Sequence, residues 1–475
     1  MKVFDYLIVG NSILGLTTAY RLIQSVPHAN IGIIGPPHRT GGATIAAGAM
    51  LGLFGEVTAA SSAHKYDRAC FQLAHQAQAM WPDFVNDINN QIKTGDAVQI
   101  HPHGTFILAH AQDTQHSDQS DYQAIRHALV TYREPYEDIL PADIPGLSAE
   151  AAARATAGIY IPGERSVNPL SVLRALEQIF NNHPRVTRIH HTATRLLTRI
   201  SGHATIAGVA LSNGETLHAD QVILAAGVEC QTLLDTLPAI AGRIPHIMAG
   251  DGVAFVLNQQ ALGTEQIQHV IRTPNRTDAC SLHVVPNIED PHLLYLGAGN
   301  MIRWRPQPGA SVGSATWIMQ SGLRDISAHL SQARLLRFNQ GNRPTTVDGY
   351  PLLGACTSIQ GLWLLTGTGR DGFQRAPMLS QQIVSQLTGT PSATDFNTFA
   401  PERLPLQTCD QQQAIARLQH DICDTSHQPQ AVTDLYAQLD TSLALPPATL
   451  LPILYRRWSA DLLKHYLDAA RQAHA

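Results

Sequence analysis

The sequence predicts an α/β protein of two domains with a helical extension toward its C-terminal end. Three observations carry that reading. The chain has 475 residues, more than one hydrophobic core normally holds. It opens on an apolar strand, a glycine turn and a helix, the unit from which parallel sheets are built. Farther on, Leu282-His283-Val284-Val285 and Leu293-Leu294-Tyr295-Leu296 read as short strands of an antiparallel sheet.

Composition narrows the class. Apolar residues make up 44% and charged residues 15%, which is globular rather than disordered. The formal net charge is −5 and no basic block occurs, so no nucleic-acid surface is expected. The six cysteines, Cys70, Cys230, Cys280, Cys356, Cys409 and Cys423, are scattered without a C-x-x-C pair, as reduced thiols are. Neither His190-His191 nor His101-x-His103 has persuasive ligand spacing, and no metal is expected. No secretory signal pattern opens the chain. No apolar run reaches the roughly 18 residues of a membrane helix, so no membrane span and a cytoplasmic location are expected.

The first strand, Tyr6-Leu7-Ile8-Val9, is apolar on both faces. Gly10-Asn11-Ser12-Ile13-Leu14-Gly15 follows, with apolar residues continuing at helical spacing through Ala19, Leu22 and Ile23. This is the G-x-G-x-x-G context with Ser12 at the second glycine position. Gly10 suits a tight turn, and Gly15 suits close helix–strand packing. The helix start offers free N–H groups and a positive dipole end to a pyrophosphate. The segment alone also suits an ordinary strand–turn–helix. The second strand is Ile31-Gly32-Ile33-Ile34. A Rossmann-like fold usually follows it with an acidic residue for the ribose hydroxyls. Here stands Gly35, then Pro36-Pro37, with His38 and Arg39 the nearest polar residues.

Five later segments point to one family. They are Gly42 to Leu51, Gly158 to Pro169, and Gly208 to Gly227. The last two are Arg343-Pro344-Thr345-Thr346-Val347-Asp348-Gly349-Tyr350-Pro351-Leu352-Leu353-Gly354 and Gly361 to Pro377. Together and in this order they resemble the D-amino-acid-oxidase-like flavoproteins, and the glycine-oxidase and sarcosine-oxidase-like members in particular. The resemblance spans about residues 4 to 395. It implies a Rossmann-like (GR2-type) FAD-binding domain, discontinuous over 1–75, 150–240 and 336–400. It also implies an α+β substrate domain with an antiparallel sheet, over 76–149 and 241–335.

The resemblance implies roles as well. Gly10, Ser12, Ile13, Leu14, Gly15 and Gly35 would face the dinucleotide. Ala43, Thr44, Gly48, Ala49 and Met50 would follow the pyrophosphate and isoalloxazine, with small residues allowing close backbone approach. Thr194 and Gly227 would be further contacts. The run Thr368, Gly369, Arg370, Asp371, Gly372 and Phe373 would offer N–H groups near the flavin C2 carbonyl. Arg343 would clamp a substrate carboxylate in a bidentate grip. His283, Asn300 or Met301, and Arg370 would complete the pocket. Asp348 would cap the turn at Gly349. No cysteine lies in 339–343, where sarcosine-oxidase-like relatives attach flavin, so non-covalent FAD is expected.

The implied reaction is oxidation of the C–N bond of a small amino acid or related amine by hydride transfer to flavin N5. An imine results, and oxygen or another acceptor takes the electrons. A non-amine substrate such as a 2-hydroxy acid, or an inactive binding or assembly partner, stays open. Residues 401–475 lie beyond the family pattern. Helices are expected near 411–422, 431–439 and 450–473. The stripe Leu454, Trp458, Leu462, Leu463, Tyr466 and Leu467 would pack on the protein body or serve a homo-oligomer or protein-partner contact.

Overall fold

The computed structural model describes residues 3–406 other than 60, 62–63, 111–115, 202, 238–239, 241, 276–280 and 391–395. The helices expected beyond 410 lie outside the described residues, as do Cys280, Cys409 and Cys423.

Two sheets organise the chain. The first runs β16 (Leu352–Ala355), β17 (Leu362–Thr366), β9 (Thr216–Leu224), β1 (Val3–Val9), β2 (Ile31–Ile34) and β6 (Val186–Ile189). The hairpin β7 (Ala193–Ser201) and β8 (His203–Leu211) joins it at β9. From β17 to β6 every neighbouring pair is parallel. A parallel sheet is buried on both faces, and β1 obeys this. Ile8 enters a core with α1 (Ile13–Ser25), α5 (Pro169–Asn181) and α8 (Ala376–Thr388), while Leu7 and Val9 enter the opposite core.

The second sheet runs β14 (Met301–Arg303), β10 (Ile247–Asn258), β13 (Leu293–Gly297), β12 (His283–Pro286), β11 (Val270–Arg272), β3 (Thr105–His110), β5 (Ala155–Ile161) and β4 (Glu137–Ile139). The long β15 (Arg334–Thr346) pairs with β10. All its pairs are antiparallel except β11 with β3. Its outer face carries Phe255, Val284, Leu294 and Leu296 beneath α7 (Val312–Ser321), which contributes Ile318. Its inner face looks toward the first sheet's glycine turns.

The boundaries drawn from sequence differ from the sheet membership. β5 falls within 150–240 and all of β15 after Leu335 within 336–400, yet both belong to the second sheet. Conversely, α3 (Lys65–Asn89) extends past residue 75 but packs with the first core through Trp81 and Phe84. Trp81 stacks on Phe373 at 5.4 Å and donates its indole N–H to the Gln374 carbonyl at 2.7 Å. Three further helices are short or peripheral: α2 (Ala43–Ala46), α4 (His116–Tyr132) and α6 (Cys230–Leu234).

Asp348 anchors the turn after β15. It accepts from Thr346 Oγ1 and Tyr350 N, at 2.9 and 3.1 Å. Arg403 Nη2 grips both its oxygens, at 3.2 and 3.0 Å, with the two side chains 8% and 0% exposed. Removing one partner of so buried a pair strands a charge. Arg403→Met is therefore expected to lower unfolding stability by about 3 kcal/mol, read from urea denaturation.

Candidate active site

A single cavity of about 670 Å³ runs from the turn after β1 to the inner face of the second sheet. At its first end lie Gly10, Asn11, Ser12, Ile13 and Leu14. Ser12 stands at the N-cap of α1 but its side chain caps nothing. Gly10 holds φ +128°, and a Cβ there would meet the Ala225 carbonyl oxygen at 2.2 Å. Gly15 is not on the cavity wall. Its place is structural, since a Cβ would stand 1.9 Å from the Gly10 oxygen.

Gly35 lines the cavity beside Asn11, whose Cγ a Cβ would approach to 2.3 Å. The Asn11 side chain donates to the Pro36 carbonyl at 2.8 Å. Arg39 Nε donates to the Asn11 carbonyl at 2.9 Å, and Arg39 pairs with Glu177 on α5. Asn11 and Arg39 thus stand where an acidic residue was sought, with the carboxylate one layer behind. Sequence reading named Arg39 and missed Asn11.

Ala43, Thr44, Gly48, Ala49, Met50, Thr194 and Gly227 also line the cavity. Thr44 Oγ1 accepts from Ile13 N at 3.4 Å, tying the small-residue loop to the start of α1. Thr368, Gly369, Arg370, Asp371, Gly372 and Phe373 line it as well. Two N–H groups of this run are used internally: Gly369 donates to the Pro344 carbonyl at 2.8 Å, and Asp371 to the Thr368 carbonyl at 3.2 Å. Those of Gly372 and Phe373 have no intrachain acceptor among the described residues.

The far end is one face of the second sheet. Arg272 on β11 pairs in register with His283 on β12, which pairs with Gly297 on β13. Gly297 pairs with Ala254 on β10. Directly opposed residues share a face, and so do residues two apart. Arg272, His283 and Tyr295 therefore project together, with Gly252 and Arg343 on the same face of β10 and β15. Gly252 leaves room for Arg343, because a Cβ there would lie 2.3 Å from Nη1. Arg343 Nη1 donates to the Gly299 carbonyl at 2.7 Å and to Asn300 Oδ1 at 3.3 Å. Asn300 is not on the cavity wall and acts on it through Arg343. The side chain of Met301 lies outside what is described.

A family model for FAD dependent oxidoreductases, DAO, matches residues 5–386. The chain belongs to that family. It is 23% identical over 395 residues to a glycine oxidase of Pseudomonas putida, covering 83% of this chain and 97% of the relative. The fold resembles the crystal structure of glycine oxidase from Geobacillus kaustophilus, with a TM-score of 0.69 and 19% identity over 85% of this chain and 99% of that one. It also resembles iminodiacetate oxidase from Chelativorans sp. BNC1, with a TM-score of 0.67 and 18% identity over 83% and 98% of the two chains. The protein is an FAD-dependent oxidoreductase of the DAO family.

Electrostatics of this DAO-family site depend on residues that no motif flagged. Glu56 bridges two arginines. Its Oε1 lies 2.8 Å from Arg272 Nη2 and its Oε2 lies 2.9 Å from Arg370 Nη2. Asn275 donates to Glu56 Oε2 at 3.2 Å and accepts from Arg370 Nη1 at 2.9 Å. The two guanidinium groups overcome burial and drive the Glu56 carboxyl well below the usual range. Arg272 is 1% exposed, and the carboxylate its Nη2 meets is shared with Arg370. His283 is pushed down to about 3, first by burial and then by Arg272 and Arg343. Its Nδ1 lies 3.0 Å from the Ser281 carbonyl, which can only accept. The imidazole is therefore protonated at Nδ1 and offers a lone pair at Nε2. Its ring stacks on Tyr295, whose hydroxyl donates to the Ala46 carbonyl at 2.9 Å.

Gly10 gives the sharpest test of the cavity's first end. Gly10→Ala forces its methyl into the Ala225 carbonyl. Purified Gly10→Ala protein is expected to lose most of its flavin absorbance, measured against protein concentration, while wild type retains it.

Proposed function

We propose that this DAO-family protein oxidises the C–N bond of a small amino acid or related amine to an imine. The observation that carries the reading is the pairing of Arg343 with His283 across one sheet face. Arg343 turns into the cavity with Nε and Nη2 lacking an intrachain acceptor among the described residues. Such a free edge suits a carboxylate, and a planar guanidinium fixes its orientation. The lone pair on His283 Nε2 suits an amine N–H.

We assign the FAD site to the rest of the cavity. Three features fit the cofactor: the uncapped start of α1, the Ala225 carbonyl and the Asn11 side chain that exclude a Cβ at Gly10 and Gly35, and the two open N–H groups at Gly372 and Phe373. Ser12, Ile13 and Leu14 would receive the pyrophosphate at the helix N-terminus. Gly35, Arg39 and Thr194 would flank the adenosine end, and Gly48, Ala49, Met50, Gly372 and Phe373 the isoalloxazine end. Bound non-covalently, FAD supplies the two-electron acceptor.

The protein's own residues then have three tasks. Arg343 holds the carboxylate and so fixes the carbon that bears nitrogen. The cationic field of Arg272, Arg343 and Arg370 opposes an ammonium in the cavity and favours the neutral amine that the reaction needs. His283, itself neutral, holds that amine by accepting one N–H. The second sheet supplies the wall that carries Arg272, His283, Tyr295 and Arg343.

The deciding experiment is anaerobic mixing of the FAD-loaded protein with amino acids, N-methyl amino acids and 2-hydroxy acids. Bleaching of the flavin band by an amine supports the reading; bleaching by hydroxy acids alone overturns it. Arg343→Ala is expected to weaken the best carboxylate substrate about 30- to 150-fold, the size of a lost charge-assisted bond of about 2–3 kcal/mol. His283 stays neutral at every pH above about 3. It adds no ionisation between pH 5 and 9, so activity rises with pH only as the substrate ammonium is lost. His283→Gln should leave the position of that rise unchanged, whereas a limb near pH 6–7 that vanishes in the variant would contradict the assignment.

A further inference from the structure

The far end of the cavity carries more positive charge than one carboxylate requires. Arg272, Arg343 and Arg370 all line it, and Glu56 is the carboxylate set among them. Glu56 is shared between Arg272 and Arg370, so that triad retains one net positive charge. Arg343 adds a second at a separate place, anchored on β15 rather than β11. Glu164 is a second acid near Arg272. It lies off the cavity wall and is spent on the turn after Gly52, where its Oε1 accepts from Leu53 and Phe54 N–H groups at 2.7 and 2.5 Å. Burial pushes that carboxyl upward. His283 stands between the two cationic places and is uncharged.

Two features make the triad a receptive place rather than a closed ion pair. Arg272 is almost wholly buried, and the Glu56 carboxylate that its Nη2 meets at 2.8 Å is shared with Arg370. Burying a guanidinium that is only half neutralised is costly unless a further anion completes it. Arg370 is 23% exposed and lies in the run between β17 and α8, on the cavity wall.

We propose that the substrate carries two acidic groups: one carboxylate on Arg343, and a second at the Arg272–Glu56–Arg370 triad, with the amine between them near His283. This rests on the amine-oxidation reading above and narrows it to amino dicarboxylic acids or N-carboxyalkyl amino acids. An uncharged side chain would leave the triad's excess charge uncompensated. A second carboxylate would neutralise it, at a distance set by the spacing of the two cationic places.

Non-oxidisable acids test the second place without turnover. Calorimetric titration of the FAD-loaded protein with malonate, succinate, glutarate and adipate is compared with acetate, propionate and butyrate. At least one diacid is expected to bind about tenfold or more tighter than the monoacid of equal length, as one added charge-assisted contact implies. Arg370→Gln should shrink that ratio to below about threefold, and Glu56→Gln, which removes the neutralising carboxylate, should widen it. The opposite signs exclude a general loss of folding as the cause. Equal binding of mono- and diacids, or a ratio indifferent to both variants, overturns the proposal. Flavin bleaching by monocarboxylic amines without any diacid preference would leave the reaction standing and remove only the second site. Diacid preference without bleaching by any amine would do the reverse.

Discussion

The path of β15 sets the geometry of the site. This strand leaves the second sheet along β10 over the registers Ile247 to Asn258, then reaches the first sheet's loops. At Asn342 it bridges to Gly42, and at Thr345 to Thr368. Its Pro344 carbonyl accepts the Gly369 N–H. Arg343 therefore sits in a stretch of chain bonded at once to the small-residue loop, to the glycine-rich run before α8 and to the second sheet. Main-chain hydrogen bonds, not the long side chain, fix where the guanidinium begins. Gly252 and Asn300 then fix where it ends.

Charge arrangement follows from that scaffold. A sheet face brings Arg272 and His283 into direct register, which would be unfavourable for two cations. Burial and the two neighbouring guanidinium groups resolve the conflict by keeping His283 neutral. The histidine then serves as an acceptor with a defined tautomer, because its one ring N–H, at Nδ1, donates to the Ser281 carbonyl. Glu56, in the short turn after Leu53, meets Arg272 on β11 and Arg370 in the run before α8, so the electrostatic balance of the site joins the second sheet to the loops of the first.

Much of this was legible in the residues. The strand–turn–helix at Tyr6 to Ile23 and the strand Ile31–Ile34 announce themselves by period and by glycine placement. The run at Arg343 to Gly354 carries enough unusual residues in fixed order to identify a family. Other features depend on contacts distant in sequence. Glu56 and Arg272 lie in unremarkable segments, and each gains meaning only when the fold sets them 2.8 Å apart. Asn11 had a faint signal: Gly35 stands where an acid is usual, and a Cβ there would meet the Asn11 side chain. Sheet boundaries were harder still. β5 and β15 cross between layers within segments whose motifs belong to the first domain, and local pattern does not say which sheet a strand will join.

The most direct measurement is a crystal structure of the protein with FAD and a non-reactive carboxylate. The account predicts the pyrophosphate against Ser12 to Leu14 and a carboxylate within hydrogen-bonding distance of Arg343 Nε and Nη2. A dinucleotide bound away from the start of α1, or a carboxylate that ignores Arg343, would contradict it.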